Sequence, residues 1–293
     1  MQKKFQYGGQ AVIEGVMMRG PSTVAVAVRK PDGEIAVETE PNVLLSQKHK
    51  PLGWPFIRGT VMLVDSLVIG VRALNKSASL AMEEEEEQLT TAEIFWTTAV
   101  AVVFAVLLFV ALPTGVVHYT KQFIGGVVAQ NLVEGVIRIV VFLGYVLAIS
   151  RMQEIKRVFM YHGAEHKVIH TFEAEHPLNI ENARINSTLH PRCGTSFLLI
   201  VMVISIFVFA FLGEGSIWWR VSSRIIVFPI VAGLGYEFIK LTGRYADQWW
   251  AKLLMAPGLW LQKLTTGEPD DDQLEVAICA LQAVLPENEK LSI

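Results

Sequence analysis

The chain has 293 residues, is 52% hydrophobic and carries a net charge of −3, too near neutral for nucleic acid to be an expected partner. Its two cysteines, Cys193 and Cys279, make no disulfide framework and fit a reducing compartment. The apolar residues lie in blocks with the charges between them, which sets the chain apart from ordinary soluble domains. It reads as an α-helical polytopic membrane protein of about four transmembrane helices with a small N-terminal β-rich cytoplasmic domain.

In chain order, residues 1–56 form that cytoplasmic domain. The first twenty residues hold no unbroken apolar stretch, so no cleaved signal peptide is expected. The segment YGGQAVIEGVMMRGP has glycines at 8, 9, 15 and 20. They read as turns, or as a loop that packs against a site and presents Glu14. Thr23–Arg29 and residues 35–39 alternate about Pro31-Asp32-Gly33, a β-hairpin signature. Residues 57–93 comprise an amphipathic interfacial helix at 57–80, interrupted by Asp65 and Arg72, and a solvated acidic linker at 83–87.

Residues 94–240 are the transmembrane domain, with spans at 94–112, about 131–150, 194–213 and about 221–239. The second span carries Glu134 and Arg138, an i,i+4 pair that partly neutralises itself. The fourth holds Pro229 and ends at Glu237, which is read as a metal ligand, a proton acceptor or a partner for Arg244. Residues 113–130 hold one basic residue and 213–224 hold two, against six in 151–193, ten in the first 93 and five from Lys240 onward. This alternation puts both termini and the His/Cys loop at 151–195 in the cytoplasm of a multi-pass inner-membrane protein. Residues 241–293 are cytoplasmic or interfacial helices. Trp249, Trp250 and Trp260 suit headgroup level. Asp270 caps a last helix with Gln273 at N3, and Leu274, Ala277, Ile278, Leu281, Val284 and Leu285 form one stripe for packing or a homo-oligomer contact. Cys279 beside it reads as a small buried hydrophobe.

Five of the seven histidines fall between 162 and 190. In YHGAEHKVIH, His162, Glu165, His166 and His170 share one helix face. Histidines one turn apart reach a single tetrahedral ion, and His162-Gly-Ala-Glu165-His166 satisfies H-x-x-E-H, where the glutamate is a general base. A second pair, His190 and Cys193, lies immediately before the third span, at a spacing that closes around zinc. Thr195 and Ser196 are candidate caps for that span. Both clusters then meet at one membrane face. The plainer readings are a surface helix face and ordinary loop residues. His170 and His176 read as solvent-facing or as supports for ligands, and His49 and His118 as incidental.

YGGQAVIEGVMMRGP, GWPFIRG, YHGAEHKVIH, HPRCGTSF, GYEFIK and PGLWLQKLTTGEPDDDQLEVAI resemble the YqhQ-like family of bacterial membrane proteins (domain of unknown function 1385) over nearly the whole chain. The resemblance implies a predicted metal-dependent enzyme. It carries over to Glu14, Arg19, His162, Glu165, His166, His190, Arg192, Cys193 and Glu237.

Three functions follow as expectations. The first is a metal-dependent hydrolase at the cytoplasmic membrane face. In it a divalent metal, zinc, is bound by His162 and His166, with His190 or Cys193 completing the set and an open coordination position, and with Glu14 and Glu237 as further candidate ligands. Glu165 is the base, and Arg19 or Arg192 hold an anionic or carbonyl oxygen of a membrane-associated substrate. The second is a scaffold with a structural metal and a protein partner. The third is a metal transporter or sensor.

Overall fold

The computed structural model describes residues 7–43, 50–81, 90–213 and 215–286; the acidic run at 83–87 and His49 lie outside the described residues. It opens with four strands, β1 (Gly8–Val12), β2 (Gly15–Arg19), β3 (Thr23–Arg29) and β4 (Ile35–Pro41), in one antiparallel sheet of sequential order. The expected hairpin is β3–β4, in register from Arg29 against Ile35 to Thr23 against Pro41. The glycine-rich segment is more than a set of turns. It is the hairpin β1–β2, with Val12 opposite Gly15 and Glu14 in the turn at a φ of 49°.

Among the described residues ten α-helices follow: α1 (Ile57–Ala81), α2 (Thr91–Val106), α3 (Leu112–Thr120), α4 (Val127–Ile149), α5 (Gln153–Glu173), α6 (Ile180–Arg184), α7 (Gly194–Ala210), α8 (Ile217–Arg244), α9 (Trp249–Thr265) and α10 (Asp271–Val284). A π-helical turn, Leu107–Ala111, joins α2 to α3, so that Ala92–Phe123 runs as one rod. Among the described residues three helices, Ala92–Phe123, Val127–Ile149 and Ile217–Arg244, are long and apolar enough to cross a membrane. The span expected at 194–213, as clear in the sequence as that at 94–112, is shorter, since the apolar helix α7 has 17 residues. The N-cap of α7 is Cys193, whose Sγ accepts the Thr195 N–H at 3.4 Å. Thr195 and Ser196 therefore sit inside the helix rather than capping it. The capping box of Asp270 and Gln273 forms at the start of α10 as the spacing implies.

Both faces of the sheet are covered, which explains why β2 and β3 are continuously apolar. Strand alternation sends Val16, Met18, Ala25 and Ala27 to one face and Met17, Val24, Val26 and Val28 to the other. The first face packs on Tyr161, Ala164 and Val168 of α5 and on Leu274, Ala277, Leu281 and Val284 of α10. The second packs on Ile69, Ala73 and Leu80 of α1. The N-terminal sheet therefore takes its core from the central loop and the tail. The stripe on α10 is consumed by this packing, with Cys279 half-buried at its edge.

α1 lies along α8, where a Cβ on Gly59 would stand 2.6 Å from the Tyr236 side chain. There Arg58 donates from Nε and Nη2 to both carboxylate oxygens of Glu237, each at 2.6 Å. The partner of Glu237 is thus Arg58 of α1, not Arg244.

Candidate metal centre

α5 carries His162, Glu165, His166 and His170, and its packing is tight where the chain returns after α9. A Cβ on Gly163 would sit 2.0 Å from the Gly267 carbonyl oxygen, and Gly267 N–H donates to Phe159 O at 2.7 Å. Only glycine admits that approach. The strap that follows α9 therefore lies directly on the histidine helix.

Each of the three histidines on α5 engages a backbone carbonyl. His162 Nδ1 lies 2.8 Å from Thr265 O, His166 Nδ1 contacts Thr188 O, and His170 Nε2 lies 2.9 Å from Leu189 O. A carbonyl only accepts, so these nitrogens carry the proton. The lone pairs are left on Nε2 of His162, Nε2 of His166 and Nδ1 of His170. His162 Nε2 is 3.2 Å from Cys193 Sγ. The donor atoms of His162, His166 and Cys193 lie within 4.8 Å of one another, and so do those of His170, Glu173 and His190. The rings neighbour one another in turn, with centroids 4.5 Å apart from His162 to His166, 5.6 Å from His166 to His190 and 4.6 Å from His190 to His170. Burial pushes His190 down to about 4 against the opposing hydrogen bond it donates to Glu173, so its imidazole is neutral, the form that binds a cation. A set of imidazoles with protons turned outward and a thiol among them suits zinc.

Glu165 is buried beside them, with Oε1 accepting the Gly9 N–H at 2.8 Å, and burial raises its carboxyl above the usual value. His162, Glu165, His166, His190 and Cys193 line a cavity of about 310 Å³ whose other wall is Tyr7–Ala11 of the N-terminal strand. Arg192 lines it too and pairs with Glu173. Arg19 does not reach this cavity. It lines an adjoining one of about 330 Å³ that shares Tyr7–Gln10 and Arg192. Its Nε donates to Asn42 at 3.1 Å, while its buried Nη2 makes no hydrogen bond among the described residues. Glu14 stays in the β1–β2 turn, where its pairing with Arg157 holds its carboxyl low and Tyr161 donates at 3.3 Å. Among the described residues, neither Glu14 nor Glu237 joins a ligand set, because each is neutralised by an arginine elsewhere. His176 is exposed.

Three residues outside the sequence reading hold the site. Gln262 of α9 clamps the His190 backbone, accepting its N–H and donating to its carbonyl, both at 2.8 Å. Lys167, buried beneath the loop, donates to Arg184 O and Asn186 O at 2.8 Å and pairs with Glu268 at 2.7 Å. Glu173 was legible as the residue three after His170. Gln262 and Lys167 carry no spacing signal.

A family described as "Protein of unknown function (DUF1385)" matches residues 54–287, and the chain belongs to it. The chain is also 35% identical over 310 aligned positions to "Uncharacterized protein YqhQ" of Bacillus subtilis (strain 168), covering 98% of this chain and 96% of that protein. No solved structure matches.

Proposed function

We propose that this member of the DUF1385 family is a multi-pass inner-membrane protein with four membrane helices and cytoplasmic termini. In this reading it binds zinc at His162, His166 and Cys193 to hydrolyse a membrane-associated substrate at the cytoplasmic face. The observation that carries the metal is the hydrogen bonding of His162 Nδ1 and His166 Nδ1 to the carbonyls of Thr265 and Thr188, which leaves both Nε2 lone pairs free in one donor set with Cys193 Sγ. The membrane reading rests on the three long apolar helices, with α7 as the fourth, and on the alternation of basic residues. Three protein ligands leave a coordination position open, as catalytic rather than structural zinc requires.

When bound, the ion supplies Lewis-acid polarisation of a substrate oxygen and makes water more acidic. Glu165, at the same cavity and with its carboxyl raised by burial, takes the proton from water and returns it to the leaving group. Arg192 and, through the adjoining cavity, Arg19 hold an anionic or carbonyl oxygen. The Gly8–Gly9 backbone closes the cavity from the side of the sheet.

The scaffold reading keeps one favourable observation. His190 stands next to His166, and a fourth ligand there would close the set. Transport is disfavoured, because among the described residues the buried ionisable groups of the apolar helices are three arginines and one glutamate, a set that repels cations. The test is metal analysis and unfolding of wild type, His166→Ala and Glu165→Gln. The hydrolase reading expects metal loss in His166→Ala alone, with Glu165→Gln folded and loaded. Equal loss in both makes Glu165 a ligand and removes it as the base. Unfolding on chelation of wild type favours the scaffold.

A further inference from the structure

The end of the apolar helices remote from the histidines holds a second polar centre, which does not rest on the metal. Gln130, Asn131, Glu134 and Arg138 of α4 face Arg220 and Arg224 of α8, all of them buried. Sixteen residues of helix separate Glu134 from Ser150 near the start of α5, a distance of about 24 Å.

The carboxylate of Glu134 is saturated. Its Oε1 accepts from Arg138 and Arg224, each at 2.8 Å, and from Thr114 at 3.1 Å, while Oε2 accepts from Arg224 at 2.9 Å. Arg138 is completed by Ser205 Oγ at 3.2 Å and by the Phe109 carbonyl at 2.8 Å, which lies in the π-helical turn. This part reads as a structural lock joining α3, α4, α7 and α8.

Arg220 stands outside the lock. Among the described residues its Nη2 reaches only the neutral Gln130 amide, and its buried Nε and Nη1 have no acceptor. The Nδ2 of Asn131 is buried and unmatched as well. Arg220 is 3% exposed and Asn131 4%. All three unmatched atoms are donors, and among the described residues of this centre three guanidiniums face one carboxylate. Such an excess is costly unless an acceptor of negative charge joins it. The N-terminus of α8, capped by Ser216, adds partial positive charge on the same side.

We infer that Arg220 and Asn131 receive one phosphate-type oxyanion between α4 and α8. Donors on two separate side chains match a group with several acceptor oxygens. Trp218 and Trp219, in the same turn as Arg220, are exposed as an aromatic belt at headgroup level requires. The group is thus the phosphodiester of a lipid or free inorganic phosphate, which share this chemistry.

The test follows thermal unfolding of the full-length protein at constant ionic strength. One arm is maltoside detergent in sodium gluconate with sodium phosphate or sodium chloride added. The other compares nanodiscs of phosphatidylglycerol with nanodiscs of a phosphate-free glycolipid. Wild type gains about 5 °C at saturation with inorganic phosphate, with the phospholipid, or with both. A gain with phosphate in detergent assigns the free ion, and a gain only in phospholipid assigns the headgroup. Arg220→Gln loses the gain and, without phosphate, is at least as stable as wild type, since the unmatched charge is gone. Asn131→Ala halves the gain or more and serves if Arg220→Gln does not fold. The proposal is overturned by an absent gain, by an equal gain with chloride, or by a gain that persists in both variants. It is overturned as well if Glu214→Gln alone, in phosphate-free buffer, removes as much stability as phosphate adds, because the chain would then supply its own acceptor.

Discussion

Replacing Gln262 by leucine isolates the clamp that holds the second half of the proposed metal centre. Gln262 is fully buried and makes three hydrogen bonds, two to the His190 backbone at 2.8 Å and one from Nε2 to Ser196 Oγ at 2.9 Å. Leucine fills nearly the same volume, so the loss is polar and not a cavity. The His190 N–H is left with no acceptor, at about 1–3 kcal/mol, and its carbonyl keeps only the 3.3 Å contact from Cys193 N–H, so the total is about 2–4 kcal/mol. In a chain of this size that lowers Tm by roughly 5–10 °C. The turn that carries Cys193 loosens with it, and zinc affinity falls about 10–100-fold, as for other outer supports of metal ligands. Thermal unfolding with and without zinc reads the first effect, and competition with a chromophoric chelator reads the second. Gln262→Glu sharpens the test. It retains an acceptor for the His190 N–H but sets a carboxylate against the carbonyl, and is expected to be at least as damaging. A Gln262→Leu protein with wild-type Tm and wild-type zinc affinity would refute both the clamp and its link to the ligands.

Lys167→Met removes the donor from the carbonyls of Arg184 and Asn186 while its partner Glu268 returns to water; a loss of about 2 kcal/mol in denaturant unfolding is expected, with weaker zinc binding because the Thr188 carbonyl shifts. Glu14→Gln costs below about 1 kcal/mol at pH 7, since the Arg157 side of the pair is half exposed. Because Arg157 holds the folded carboxyl of Glu14 below its usual value, that contribution is complete above the ordinary carboxylate range. It disappears as pH falls through the lowered folded value, so the unfolding curves of variant and wild type should converge in acid. Asp270→Ala deletes the capping box of α10 and should destabilise by about 1 kcal/mol, seen as a lower unfolding midpoint with unchanged zinc stoichiometry.

The elements that can be read from contiguous residues were legible. The helix face shared by His162, Glu165, His166 and His170 follows from a period of 3.6 residues, and the β3–β4 hairpin from alternation about Pro31-Asp32-Gly33. The Asp270 cap follows from a three-residue spacing. The β1–β2 hairpin was less legible, because a strand buried on both faces loses its alternation and its glycines read as turns. Arg220 and Arg224 read as loop charges, yet both are buried inside α8. Nothing local tells a snorkelling arginine from one that faces Glu134.

By itself the sequence determined the apolar lengths of helix, the one-sided row of imidazoles and the Cys193 position just ahead of α7, since each is a property of neighbours along the chain. Tertiary structure alone decided which carboxylates were spent on arginines, with Glu14 going to Arg157 and Glu237 to Arg58. It also decided which carbonyls orient the histidines, and that Gln262, 72 residues away, grips His190. The physical reason is that a donor's partner is chosen by which surfaces pack together. Packing brings residues into reach across separations that no periodicity in the chain records.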